Sequence, residues 1–101
     1  MTYLRKIAAE IQEEVGRDAP SDSDTTVLFD LYALLAVTLG ARTTPRDVHH
    51  AWVVWMLVRG EVHESMVPYD ELPRVVQAED DPFVRAIRAV ANRRQSSGME
   101  T

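Results

Sequence analysis

Residues 44–60, TPRDVHHAWVVWMLVRG, combine a strong helix start with a long apolar stretch. Thr44 fits an N-cap, Pro45 fits the first helical position, and Asp47 follows the cap by three residues, as in a capping box. Residues 51–58 are apolar on every face, and a helix without a polar side is normally covered by neighbours all round. The segment therefore predicts the central helix of a helical bundle.

The chain before residue 44 has apolar residues at the three- and four-residue spacing of amphipathic helices. A first helix is expected from Thr2 to Val15, closed by Gly16. After a loop, Ser23 or Asp24 is expected to cap a second helix that reaches residue 39. The predicted inner face of the second helix comprises Leu28, Leu31, Tyr32, Leu35 and Leu39, widened by Leu34 and Val37. A face this wide predicts contacts on more than one side.

A last helix is expected to begin with Asp81 as N-cap and Pro82 at the first helical position. Its predicted inner stripe holds Phe83, Ile87, Val90 and Ala91. No useful length of sequence alternates in the manner of a strand. The sequence thus predicts an all-α fold, a compact bundle of four to five helices over residues 1–95, followed by a disordered tail at 96–101.

Residues 63–73, HESMVPYDELP, separate the central helix from the last part of the chain, and we call them the strap. Pro68 and Pro73 fix their own φ angles and hold the residues before them outside the helical region. The strap is therefore expected to be stiff, with one short turn around its YDE sequence and a further short helical piece after Pro73. Its apolar side chains should pack on the central helix; they are Met66, Val67 and Leu72.

The central helix and the strap together resemble the ryanodine-receptor repeat, a small helical module of calcium-release channels that also occurs in bacterial and phage proteins. His49 precedes Trp52 by three positions, His63 comes shortly before VPYDEL at 67–72, and Asp80 follows. The resemblance covers about residues 47–90. It implies a non-catalytic ligand-binding or regulatory module that senses or sequesters a nucleotide-like small molecule, and similar short proteins are expected in actinobacteria and their phages.

The candidate pocket lies between the strap and the central helix. The candidate ligand-binding residues are His49 and Trp52 from the helix, His63, Tyr69 and Asp70 from the strap, and Arg59 and Arg85 as partners of a bound phosphate. Each of these residues also has a purely structural interpretation. His49 is expected to bond a backbone group of the strap, His50 to lie at the surface, and Trp55 to belong to the core.

Composition narrows the function classes. The net charge is −5, which argues against a nucleic-acid interface, since phosphate binding leaves a basic surface. The chain has no cysteine, and its longest apolar run is far shorter than the roughly 20 residues of a membrane helix. We expect a cytoplasmic protein that binds no membrane and no nucleic acid.

The sequence favours a ligand-binding function over an enzymatic or metal-binding one. Adjacent histidines on a helix diverge by about 100° and cannot share an ion in the usual geometry. The carboxylates at 79–81 lie near a helix start, where acidic residues need no catalytic explanation. We therefore expect no enzymatic activity, no metal and no cofactor. The alternative to a ligand-binding module is a protein interaction or assembly protein, such as a phage-encoded one, that binds a partner or a second copy of itself through apolar helix faces.

Overall fold

The computed structural model describes residues 2–16 and 25–99, with side chains described as far as residue 95 in the last helix. Its principal helices are α1 (Tyr3–Val15), α2 (Thr26–Thr38), α3 (Pro45–Val58), α4 (Arg74–Gln77) and α5 (Asp81–Met99). Short 3-10 turns lie at Gly40–Arg42, Tyr69–Glu71 and Ala78–Asp80. The described residues contain no strand, so the all-α prediction is confirmed.

Helix α1 packs against α2 and α5 through the stripe that its sequence predicts. Ile7, Ala8 and Ile11 are buried. The Thr2 hydroxyl caps the helix by accepting the Arg5 N–H at 3.3 Å, and Gly16 ends it with a φ of 69°. At its C-terminal end α1 is also joined to α5 by surface ion pairs, Glu14 with Arg93 and Glu10 with Arg94, each at 2.9 Å.

Helix α2 buries a somewhat different face from the predicted one. Leu28 and Tyr32 are buried as expected, but Phe29 is buried as well and forms an edge-to-face pair with Tyr32 at a centroid distance of 5.5 Å. Leu34 and Val37 are each 46% exposed, so these two residues are less buried than an inner face predicts. Helices α1, α3 and α5 all contact α2. Ser23, Asp24 and most of the preceding loop are outside the described residues.

Helix α3 starts as the sequence predicts. The Thr44 hydroxyl accepts the Asp47 N–H at 3.3 Å, and the Asp47 carboxylate accepts the Thr44 N–H at 2.8 Å, which completes the capping box. The helix lies between the α2–α5 layer and the strap. The prediction that it is covered on every side is wrong, however, because its neighbours leave one strip of it open. The exposed residues are Val54, Leu57 and Val58, at 44%, 62% and 72%.

The strap crosses α3 in the conformation that its prolines predict. Leu72 is in extended backbone, with φ −78° and ψ 143°, and its side chain is buried. Met66 and Val67 are partly buried, and Met66 packs against the core. The single 3-10 turn at Tyr69–Glu71 and the four-residue α4 after Pro73 confirm the predicted short helical pieces.

Helix α5 begins differently from the prediction. Asp81 has helical dihedrals, φ −58° and ψ −44°, so it is a helical residue and its assignment as N-cap is wrong. The cause is the 3-10 turn at Ala78–Asp80, which runs directly into α5 and leaves no extended residue to act as a cap. Ile87 and Val90 are buried as predicted, and Val84 and Ala86 join them.

The backbone of α5 continues as a helix to Met99, into the segment for which the sequence predicts a disordered tail. The preceding turn is held to α1 by Arg93 and Arg94, which supports continuation of the helix. Residues 100 and 101 lie outside the described part of the chain. None of the described helices has both the length and the apolar character needed to cross a membrane.

Candidate functional site

A cavity of about 320 Å³ lies where α2, α3, the strap and the start of α5 meet, and we call it the Trp52 cavity. Its aromatic lining comprises Tyr32, His49, Trp52, Trp55, His63 and Phe83. Its polar lining comprises Thr25, Ser65, Glu79 and Asp80, and its aliphatic lining comprises Leu28, Leu72 and Val76. The cavity thus adjoins both elements between which the sequence places the candidate pocket.

His49 links α3 to the strap. Its Nε2 atom donates a hydrogen bond to the carbonyl oxygen of Val67 at 2.6 Å, which confirms the expected bond to a backbone group of the strap. The imidazole is 4% exposed and stacks on Trp52, with ring centroids 5.8 Å apart and planes at 25°. Its neighbour His50 is exposed, as expected. His49 therefore both positions the strap and forms part of the cavity wall.

His63, the first residue of the strap, is held in a defined tautomer. Its Nδ1 atom accepts the backbone N–H of Ser65 at 3.0 Å, so this nitrogen carries a lone pair and the proton is on Nε2. The His63 and Trp52 rings are nearly perpendicular, with centroids 5.5 Å apart and planes at 86°.

Two aromatic rings on the opposite side of the cavity were assigned only to the core by the sequence. Tyr32 from α2 and Phe83 from α5 have ring centroids 5.5 Å apart, with planes at 42°. Helical spacing predicted that both face inward, but not that they face a cavity, because that depends on how closely α3 approaches. Burial and the Asp80 carboxylate raise the pKa of the Tyr32 hydroxyl, which stays protonated.

Asp80 is the main titratable group of the cavity, and it is absent from the predicted ligand-binding set. Burial raises the pKa of its carboxyl to about 6; His49 lowers it, while Glu79 and Asp81 raise it further. Within the described part of the chain, no hydrogen bond or ion pair reaches this half-buried carboxylate. Asp80 is one of three consecutive acids; the resemblance singles it out, and the tertiary contacts show that it is the one that lines the cavity as a half-buried carboxylate.

The seven predicted ligand-binding residues are only partly brought together. His49, Trp52 and His63 line the cavity. The rings of Tyr69 and His49 have centroids 6.1 Å apart, but Tyr69 does not line the cavity. Burial, the nearby Asp80 and then Asp81 are the leading causes that raise the pKa of the Tyr69 hydroxyl.

The three charged residues of the predicted ligand-binding set, Asp70, Arg59 and Arg85, do not line the cavity. Asp70 is exposed and accepts a hydrogen bond from Arg46 at 2.5 Å. Arg59 lies over the ring of Trp55, 4.4 Å from its centroid, and pairs with Glu61 at 3.1 Å. Arg85 is exposed on α5 and is not part of the lining. The predicted phosphate partners therefore do not face the cavity.

Two further kinds of site can be assessed from the described residues. No group of three or more His, Cys, Asp or Glu side chains in this part of the chain could hold a metal ion. Ser65, His63 and Asp80 line the same cavity, but the hydrogen bonds of the described residues do not join their three side chains as in a catalytic triad.

Together these features define a small helical bundle with an aromatic cavity between a proline-stiffened strap and its neighbouring helices. The chain belongs to the DUF7701 family, a domain of unknown function, whose family model matches residues 2–92. No curated protein and no solved structure matches it. The resemblance to the ryanodine-receptor repeat stays a prediction.

Proposed function

We propose that this protein is a non-catalytic, regulatory binding module that senses or sequesters a small molecule with a flat, nucleotide-like ring. The observation that carries the proposal is the Trp52 cavity itself. Its volume of about 320 Å³ is at the lower end of the range of small-molecule sites, and its lining combines apolar and aromatic surface with a few polar groups. This composition is typical of a site that binds a small ring and fixes its orientation.

The aromatic walls support a planar ligand. Trp52 presents an indole that is only partly buried, and stacking of a base on such a ring contributes about 1–3 kcal/mol. Trp55, in contrast, is 8% exposed and has Arg59 on its ring, which agrees with its expected place in the core. We therefore assign the stacking contact to Trp52.

The polar lining supports recognition of a ring edge. His63 has an Nε2–H available as a donor, because its Nδ1 is already bonded to Ser65. The Asp80 carboxylate is an acceptor with no partner among the described residues. One donor and one acceptor at the wall of an aromatic cavity can read the hydrogen-bonding edge of a heterocycle.

A ligand screen by thermal shift tests this proposal. A nucleoside or nucleotide that binds should stabilise the protein by about 2.7 kcal/mol at a hundredfold excess over its Kd. The Trp52→Ala variant should lose the shift. Tyr3→Ala, which removes an aromatic ring that is 63% exposed on α1, is the control and should keep it. If a broad set of nucleosides, nucleotides and flat heterocycles leaves the melting temperature unchanged, the proposal is wrong.

A second candidate function, protein interaction or assembly, is favoured by the apolar surface of α2 and α3. The exposed apolar residues there are Leu34, Val37, Val54, Leu57 and Val58. A shallow groove of about 220 Å³ between the two helices is lined by Leu34, Val54 and other residues. Contiguous apolar surface of this kind often marks an interaction site. Light scattering tests it: a dimer that Val54→Lys converts to a monomer would support assembly over ligand binding.

A further inference from the structure

The charges that line the Trp52 cavity have one sign. Asp80 and Glu79 are carboxylates, and none of the described lining residues is lysine or arginine. Arg46, which lies over the Tyr69 ring, is paired with Asp70 rather than with a cavity carboxylate. An anionic group that entered the cavity would therefore approach two carboxylates without meeting a lysine or arginine among the described lining residues.

The two histidines of the lining each use a ring nitrogen within the strap contact. His63 Nδ1 accepts the backbone N–H of Ser65. His49 uses its Nε2–H for the Val67 carbonyl, so the hydrogen-bonding capacity of that nitrogen is committed to the strap. The carboxylates of the described lining are Asp80 and Glu79, and the net charge of the chain, −5, also attracts cations.

The aromatic lining favours a cation for a separate reason. The face of an aromatic ring is electronegative, and tryptophan attracts cations more strongly than tyrosine or phenylalanine. Arg59 shows this within the protein, since its guanidinium already lies 4.4 Å from the centroid of Trp55. Trp52, Tyr32 and Phe83 are the rings that remain for a ligand.

We infer that the Trp52 cavity selects a cationic nitrogen heterocycle, with the ring against Trp52 and the positive charge toward Asp80. This inference rests on the proposed function and narrows its ligand class. A bound cation would pair a carboxylate that the described residues leave unpaired, while a phosphate attached to the same molecule would have to stay outside the cavity.

Isothermal titration with three pyridine compounds of one size tests the charge preference. Nicotinate, nicotinamide and 1-methylnicotinamide share a ring and are negative, neutral and positive. We expect 1-methylnicotinamide to bind at least about tenfold more tightly than nicotinamide, and nicotinate to bind most weakly. The preference for the cation should decrease as salt is added, because the interaction is electrostatic.

Two matched variants assign the preference to a residue. Asp80→Asn should reduce the advantage of the cation over nicotinamide to about twofold or less. Asp70→Asn, which neutralises an exposed carboxylate outside the cavity lining, should leave the advantage intact. Thermal unfolding of Asp80→Asn shows whether a lost preference reflects the charge or a damaged fold.

The outcomes separate this inference from the proposed function. If neutral nucleosides or nicotinamide bind in the cavity and 1-methylnicotinamide binds no better, the cation preference is overturned and the ligand-binding proposal stands. If none of these molecules binds, both are overturned. A preference for the cation that survives in Asp80→Asn also overturns the inference, because the charge is then recognised elsewhere.

Discussion

His49 Nε2 and the carbonyl oxygen of Val67 are 2.6 Å apart, and this hydrogen bond joins the first half of α3 to the middle of the strap. The two residues are 18 positions apart in the sequence. Because the His49 ring also stacks on Trp52, the contact that holds the strap also orients one wall of the Trp52 cavity. Strap docking and cavity shape therefore depend on the same side chain.

Replacing His49 should loosen the strap. In His49→Ala the Val67 carbonyl loses its partner, and an unsatisfied buried polar group costs about 1–3 kcal/mol. For a domain of this size, each kcal/mol corresponds to a melting temperature lower by about 4–8 °C. Amide hydrogen exchange should also become faster in residues 64–72. His50→Ala is the control, because His50 is exposed on the same helix, and it should change stability by less than about 0.5 kcal/mol. Equal melting temperatures for the two variants would contradict the role of His49.

Asp80 should make stability depend on pH in a defined direction. Its pKa is raised from 3.8 to about 6 in the folded state, so folding favours the protonated form. The protonated carboxyl makes its full contribution to the free energy of unfolding below about pH 4. This contribution is lost as the pH rises through 6. Asp80→Asn should therefore stabilise the protein at pH 7 by about 1 kcal/mol, a value reduced for solvent screening of a half-exposed group, and should have little effect at pH 4.

Urea unfolding at several pH values measures this difference. Asp70→Asn is the matched control, since it breaks only the exposed pair with Arg46, and it should change stability by less than about 1 kcal/mol. The environment assigned to Asp80 would be wrong if Asp80→Asn destabilised the protein at pH 7, because the carboxylate would then have a favourable partner.

The capping box should contribute measurably to α3. Thr44→Ala removes the hydroxyl that accepts the Asp47 N–H and should cost about 1 kcal/mol. Thr44→Ser keeps the hydroxyl and should stay within about 0.5 kcal/mol of the unchanged protein. Chemical denaturation of both variants checks the prediction, which fails if alanine and serine give the same midpoint.

Neighbouring residues of α3 should differ widely in their effect on stability. Met56 is 6% exposed and Leu57 is 62% exposed. Met56→Ala should cost about 2–5 kcal/mol, because it leaves a cavity in the core, while Leu57→Ala should cost less than about 0.5 kcal/mol. Urea unfolding measures both. A large cost at Leu57 would mean that the exposed strip of α3 is covered in solution, as assembly through this face requires.

Part of the fold follows directly from local sequence. The Thr44 capping box, the stripe of Ile7 and Ile11, and the extended backbone before Pro73 are set by residues within a few positions of one another. Their predictions are confirmed. The exposed strip of α3 was not predictable in this way. Since residues 51–58 have no polar side, their sequence does not indicate which side the other helices leave open.

The candidate site was predictable only in part, because it too depends on contacts between residues that are far apart in the sequence. The sequence placed His49, Trp52 and His63 near one another, and all three line the cavity. The resemblance singled out Asp80 from its neighbours Glu79 and Asp81, but the sequence did not show its raised pKa, because that depends on burial in the tertiary structure. Nor could it show that Asp70 turns outward to Arg46, which is 24 residues away in the chain.

The most direct test of the Trp52 cavity as a binding site is a proton–nitrogen NMR titration with a ligand found by the thermal-shift screen. We predict saturable shifts of the Trp52 indole N–H and of amides in residues 63–80, with little change in α1. No saturable shift at Trp52, or shifts confined to the exposed strip around Leu57, would contradict the assignment of ligand binding to this cavity.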